Sequence, residues 1–559
     1  MNAVAVRTGR PSLAGAPLAV VACLIGCWLL FPRAAPGDSP ASAFRGEHAR
    51  AQLARFASEP RPMGSEAHER AFGTLLRELG RSGARPMPQA NESLRNVLAR
   101  VDGSDPTGTV LFVAHYDSRE DTPGAADDGL AVVALLQVIE LLASGPAPRN
   151  DLAFLFTDGE EAGLLGARLF VEHSPDLADV SLVLNFDAIG NHGPLVLFQT
   201  GPRSGGLVAA YGKAVPHPVA TSLAPYVYAL LPNDTDFTPF LEVGLRGLNF
   251  AVVGGGSAYH APFDTAANVA PATVQLVGET MLALARTLGR ADLAELPEDE
   301  RVFFDVVALG VVSYGPLLGR ILVALSLVLL LACVSRIARE QGLGPRDVAR
   351  SLLDWGALSL ASALLLWTVW FVLSRVGPLT TSVAGEAVRP TGNHASTLVT
   401  LAGVGLLALV LVAATIEHLR RDAHGTERLA RHLAGGLVAW IVVVSGLSVL
   451  GPFVLAQAPL AVCSVAVGLL LARSVPAALP LGGTVAVLLL APHLALTFLL
   501  LSKNPPKAVL VLALALSFGA GLFGPWLAAH PTGRRRTIAA GVVGAALVVL
   551  GGRMAFLGS

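Results

Sequence analysis

Lysine is almost missing: of forty basic residues only Lys213, Lys503 and Lys507 are lysine, a skew in keeping with a GC-rich bacterial genome. Charge of either sign is scarce, at 14% of 559 residues, and the formal net charge is −1. Such a chain offers no broad basic surface, so a nucleic-acid partner is not expected. Cysteine is limited to Cys23, Cys27, Cys333 and Cys463, each inside an apolar run. That placement excludes a disulfide framework or a thiolate zinc site in the polar part of the chain. Any metal held there falls to His, Asp and Glu.

Hydrophobic residues are abundant, at 53% of the chain with a mean hydropathy of +0.59. These values lie outside the soluble range and point to membrane spans. Three parts are expected: a signal anchor over 1–33, a polar domain over 34–300 and a helical membrane domain over 301–559. The apolar run Ala16–Phe31 follows Arg7 and Arg10, as in a signal peptide. Leu24-Ile25-Gly26-Cys27 is like a lipoprotein cleavage site, but the run continues through Phe31, which favours an uncleaved anchor. Eight further spans are read near 315–335, 352–374, 396–416, 433–452, 456–473, 478–501, 507–529 and 537–556. Three arginine-bearing loops test this count: Arg336, Arg339, Arg346 and Arg350; Arg420, Arg421, Arg428 and Arg431; and Arg534 to Arg536. From a cytoplasmic N-terminus all three fall on the cytoplasmic side, as the positive-inside rule requires. The expectation is a multi-pass bilayer protein of a bacterial inner membrane, with 34–300 on the extracytoplasmic side. Ionisable groups within the spans are few: His493 lies inside one, and Arg320, Asp354 and Arg553 lie near span ends. No ion path is suggested, and the membrane half reads as an anchor.

Within 34–300, β-rich runs at Thr109–Ala114, Leu152–Thr157, Leu182–Phe186 and Gly247–Val253 alternate with helical patterns at Leu130–Ala143 and Ala162–His173. That order predicts an α/β fold, a mostly parallel sheet flanked by helices. Five patches follow or neighbour the strands: His115-Tyr116-Asp117-Ser118; Gly124-Ala125-Ala126-Asp127-Asp128-Gly129; Asp158-Gly159-Glu160-Glu161; Asp187-Ala188-Ile189-Gly190; and Tyr259-His260-Ala261-Pro262-Phe263-Asp264. In an open α/β sheet, ligands gather outside the carboxyl ends of the strands, where these patches fall. Singly, each has an ordinary reading. The Glu pair suits a helix N-terminus, Asp127-Asp128 an N-cap, Asp187 a turn and His260 a loop. Together they offer two imidazoles and several carboxylates, the nitrogen and oxygen donors that zinc accepts. The same donor types also accept cobalt or manganese.

The five patches resemble those of the two-zinc aminopeptidase family, which includes glutamate carboxypeptidase, glutaminyl cyclase and the transferrin receptor ectodomain. The likeness runs from about residue 45 to 290. It implies a zinc-exopeptidase fold and two zinc ions. His115, Asp127 and Asp187 would hold the first ion, Glu161 and His260 the second, with Asp127 bridging both. It further implies Glu160 as general base, Asp117 as the partner orienting His115, and Tyr259 as a hydroxyl for the developing oxyanion. Asp236, in Asn233-Asp234-Thr235-Asp236, is similar to the family's acidic loop and is a candidate contact for the substrate amine. Peptides are the implied substrates. His192 is read as a solvated loop histidine. The overall layout and the stretch Glu59-Pro60-Arg61-Pro62-Met63-Gly64-Ser65 resemble the endoplasmic-reticulum metallopeptidase and vacuolar membrane protease subgroup. Two alternatives stand beside an aminopeptidase. One is a glutaminyl-cyclase-type acyl transferase, a group with Trp where this chain has Tyr259; the other is a receptor that has lost its metal ligands.

Overall fold

The computed structural model describes residues 43–357, apart from 92, 230–232, 257 and 307–309. It also describes 425–471 and isolated positions at 360, 364, 485–486 and 489–490. The anchor over 1–33 and the spans at 396–416, 507–529 and 537–556 lie outside the described residues, as do most of 352–374 and 478–501. Two compact units divide the chain, one of them Leu29–Gly319.

That unit is built on an eight-stranded sheet in the order β1-β2-β4-β3-β5-β8-β6-β7. The strands are β1 (Arg85–Ala90), β2 (Arg95–Val101), β3 (Thr109–His115), β4 (Asp151–Thr157), β5 (Val180–Ala188), β6 (His192–Thr200), β7 (Val219–Ala220) and β8 (Arg246–Gly254). The central four, β4, β3, β5 and β8, run parallel. On one side β1 and β2 pair antiparallel, and on the other β6 runs antiparallel to β8. The sheet is therefore mixed, with a parallel centre. The four central strands were legible because burial on both faces makes them nearly continuous apolar runs. The flanking strands β1 and β6 were not anticipated, since Pro and Gly interrupt their patterns.

Alternation along the central strands sets two faces. One bears a row of phenylalanines: Phe154 on β4, Phe112 on β3, Phe186 on β5 and Phe250 on β8. Neighbouring ring centroids lie 5.0–6.3 Å apart and the planes are within 20° of parallel. Helices Leu130–Ala143 and Pro271–Leu288 contribute to the same core. The other face carries Leu111, Val113, Leu155 and Val183, packed with Phe170, Phe237 and Phe240. The helix expected over Ala162–His173 starts later, at Leu165, because residues 159–164 form a turn with positive φ at Gly159, Gly163 and Leu164. His192 is not a solvated loop residue. It opens β6, half-buried, with Nδ1 2.6 Å from the Asn191 side-chain oxygen.

In the second unit, helix Pro316–Gln341 is long and apolar enough to cross a membrane. Among the described residues the other apolar helices are shorter, at Leu433–Ser448 and Ala458–Leu471. Side chains from all three share one core that includes Leu330, Cys333, Trp440 and Val465. Arg336 donates to the Leu470 carbonyl at 2.6 Å, giving a terminal helix carbonyl a cationic partner.

The phenylalanine row predicts where the sheet-bearing unit is least tolerant. Phe112→Ala removes the ring that touches both Phe154 and Phe186, and should destabilise the unit by about 3–5 kcal/mol. Phe112→Leu should cost clearly less. Thermal unfolding of the purified full chain compares the two, and equal midpoints would contradict a load shared across the row.

Candidate metal centre

The parallel strands deliver the five patches to one edge of the sheet. Val113 on β3 pairs with Asn185 on β5, so His115 and Asp187, each two residues further on, emerge side by side. His115 pairs with Thr157, the last residue of β4, and the turn carrying Glu160 and Glu161 begins just beyond. His260 comes from the loop after β8, at a positive φ of 56°.

Asp127 lies at the centre. Its Oδ1 is 3.1 Å from His115 Nε2 and its Oδ2 is 3.3 Å from His260 Nε2. Glu161 Oε1 lies 3.1 Å from the same His260 nitrogen. Asp127 Oδ2 and Glu161 Oε1 are nevertheless buried without an aligned hydrogen-bond donor. Two groups result, His115 with Asp127 and Asp187, and Asp127 with Glu161 and His260. In each, one donor atom per residue lies within 4.8 Å of the others. Buried carboxylate oxygens without donors, facing imidazole nitrogens, fit a cation with nitrogen and oxygen ligands.

The neighbouring groups hold this set in place. Asp117 lies with Oδ1 3.3 Å from His115 Nδ1, and its two oxygens accept the backbone N–H groups of Glu160 and Glu161 at 3.1 and 3.2 Å. One carboxylate thus sets both a histidine ring and the turn bearing the glutamates. Asp264 does the same for Asp127: its oxygens accept the N–H groups of Ala126 and Asp127 at 2.9 and 3.2 Å. Behind the glutamate turn, buried His68 Nε2 lies 2.8 Å from Asp158 Oδ1, and the Arg95 N–H donates to the other Asp158 oxygen. The roles of Asp264 and His68 were missed in the sequence. Asp264 lies four residues beyond His260, and that short offset was the signal available.

Protonation follows from crowding. Burial raises the Asp187 pKa to about 8, with the Asp127 charge adding to it. Burial likewise holds Glu160 well above the ordinary carboxylate range; Asp187, Asp236 and Asp127 push the same way, against the field of His115. Burial opposes charge on His260, but proximity to Asp127 and Glu161 outweighs it and raises the pKa to about 9. For Asp127, burial is more than offset by the two histidines, which hold its pKa low. Tyr259 stacks on the His260 ring at 3.8 Å, and its hydroxyl lies 3.4 Å from the Asn233 amide nitrogen. Burial, then the Asp127 and Asp187 charges, keep that hydroxyl neutral. Asp236 is buried, accepts the Thr157 hydroxyl on Oδ2, and has no hydrogen-bond partner on Oδ1.

The model of Peptidase family M28 matches residues 96–285. Endoplasmic reticulum metallopeptidase 1 of Rattus norvegicus is 32% identical over 240 residues, which are 41% of this chain and 27% of that protein. Vacuolar membrane protease of Candida albicans (strain WO-1) is 34% identical over 233 residues, 39% of this chain and 27% of that protein. The chain therefore matches about a quarter of the length of these curated relatives. Among solved structures, an aminopeptidase from Aneurinibacillus sp. strain AM-1 is 13% identical with a TM-score of 0.36, covering 42% of this chain and 93% of that one.

The raised Asp187 pKa carries a stability prediction for the metal-free protein. The unfolded carboxyl ionises near its ordinary 3.8, whereas the folded one keeps its proton to about 8. The folded state then loses stability progressively as pH rises between those values. Asp187→Asn, which can still accept the Ala188 N–H, should raise the metal-free unfolding midpoint by a few degrees at pH 7.5 and leave it unchanged at pH 4. A lower midpoint at pH 7.5 would contradict the assigned strain.

Proposed function

We propose, from the match of residues 96–285 to the model of peptidase family M28, that the chain is a membrane-anchored, two-zinc aminopeptidase. The observation that carries this reading is the shared carboxylate of Asp127, with one oxygen toward His115 and the other toward His260. We assign His115, Asp127 and Asp187 to one zinc and Asp127, Glu161 and His260 to the other. A zinc pair supplies Lewis-acid polarisation of the scissile carbonyl and acidifies water to a usable nucleophile.

The chain's own residues do the rest. Glu160, ionised once cations offset its acidic neighbours, takes a proton from the attacking water and delivers it to the departing amine, so that one peptide bond and one water become a carboxylate and an amine. Asp117 keeps the His115 ring and the Glu160 turn in fixed register. Tyr259 offers a neutral O–H to the carbonyl oxygen as it gains charge. Asp236 is assigned to the substrate amine, and Tyr259, rather than tryptophan, before His260 favours peptide hydrolysis over cyclisation of an N-terminal glutamine. The relatives named as endoplasmic-reticulum and vacuolar membrane proteins, together with helix Pro316–Gln341, support membrane association. The arginine-bearing loops support a multi-pass topology with the site outside the cytoplasm.

The test combines aminoacyl chromogenic substrates, a Gln-initiated peptide and metal analysis of the full chain. Two zinc ions per chain are expected, with activity lost to a chelator and restored by zinc. Glu160→Gln should keep its zinc and lose roughly 10²–10⁴-fold in turnover. Pyroglutamate formation without amino-acid release would favour the cyclase, and a folded wild-type chain that takes up no zinc would sink both readings.

A further inference from the structure

The stretch Glu59–Ser65 lies upstream of the family match, which starts at residue 96, and the reaction just described gives it no task. Its arginine is among the largest fully buried side chains of the described residues, only 1% exposed. Burying a guanidinium is costly unless its donors are paired. Among the described residues no carboxylate comes within ion-pair distance of it. Its donors go instead to three backbone carbonyls: Nε to Tyr116 at 2.7 Å, Nη1 to Pro123 and Nη2 to Gly124 at 2.9 Å. Tyr116 sits between His115 and Asp117, while Pro123 and Gly124 open the turn that carries Asp127. The backbone adds two bonds: Arg61 N–H donates to Ser118 Oγ at 2.9 Å, and Ser118 N–H to the Arg61 carbonyl at 3.2 Å.

The turn is shaped to admit this group. Gly124 has a φ of +57°, and a Cβ there would lie 2.4 Å from the Asp127 carbonyl oxygen and 2.7 Å from Ser118 Cβ. A Cβ on Gly129, at the other end of the turn, would press to 3.3 Å on Arg61 Nη2. Gly129 thus leaves room beside the guanidinium, and Gly124 lets the turn pass close against Ser118.

We propose that Arg61 is a positioning residue for the metal centre: its guanidinium joins the strand end bearing His115 and Asp117 to the turn bearing Asp127, and so fixes the spacing of the ligands. It touches neither ligand atoms nor substrate. A planar fork of donors can span three carbonyls from two segments, whereas a lysine ammonium is a single point. This inference rests on the metal-centre reading above, and its test separates the two.

The experiment titrates zinc into the metal-stripped full chain in detergent against a chromophoric chelator, first for the wild type and then for Arg61→Lys and Ser118→Ala. Ser118→Ala loosens the same junction without altering the buried cation. The zinc dissociation constant should rise at least ten-fold in Arg61→Lys and about three-fold in Ser118→Ala. At saturating zinc, kcat should fall with KM unchanged, beyond whatever drop in the metal-free unfolding midpoint the lost buried hydrogen bonds bring. Zinc affinity and kcat within two-fold of wild type, in whichever variant folds, overturn the inference; so does a loss confined to the unfolding midpoint. A wild-type chain that takes up no zinc overturns the metal-centre reading itself, and does so before any variant is compared.

Discussion

Carboxylates as close together as those of Asp127, Asp187, Glu160 and Glu161 repel one another strongly where little water remains to screen them. Removing them from water is itself unfavourable. The sheet nevertheless brings them to one edge, and the metal-free centre answers by holding protons on Asp187 and His260 near neutral pH. Those protons stand where cations of higher charge are proposed to bind. The pattern is one of stability given up locally for a site, with the rest of the domain supplying what the edge loses.

What it supplies is rigidity delivered from outside the ligand set. Asp127 is reached through its backbone by Asp264, from the loop after β8. His115 and the glutamate turn are fixed through Asp117. Asp158, at the base of that turn, is held by His68. Each support comes from a different part of the chain, so the turns bearing Asp127 and the glutamates do not rest on their own conformational preferences alone. Ligands held in this way meet an incoming ion with little rearrangement left to do.

The legibility of the chain divides along the same line. The central strands and the helix Leu130–Ala143 were readable because long buried apolar runs leave few alternatives. Of the groups that converge, His115, Glu160, Glu161 and Asp187 lie at or just after the end of such a run. The flanking strands were hidden: β1 is only partly buried and contains Pro86 and Pro88, and β6 contains Gly193 and Pro194. Supporting residues were hidden for a different reason. Arg61, His68 and Asp264 act over sequence separations of 55 to 138 residues, and no local spacing encodes a contact of that range. Asp264 stood in a patch already singled out, yet its use in holding two backbone N–H groups depends on where a turn 138 residues earlier comes to rest.

Those separations bear on what counts as the domain. The family match opens at residue 96, just inside β2. Yet Phe44 is fully buried, with its ring against Gly278, where a Cβ would fall 2.1 Å from it. The backbone beside it is tied down by Gln137 and Gln275: the Arg45 N–H donates to Gln137 Oε1 at 2.6 Å and the Gly46 N–H to Gln275 Oε1 at 2.7 Å. Cutting the chain at residue 96 would remove these seals on the core and the Arg61 and His68 supports together. It would leave the Tyr116, Pro123 and Gly124 carbonyls and both Asp158 oxygens without those donors, and each such loss at a buried group costs about 1–3 kcal/mol. Several such losses approach the whole stability of an ordinary domain. The segment from Phe44 to His68 thus belongs to the folding unit as fully as the strands that carry the ligands.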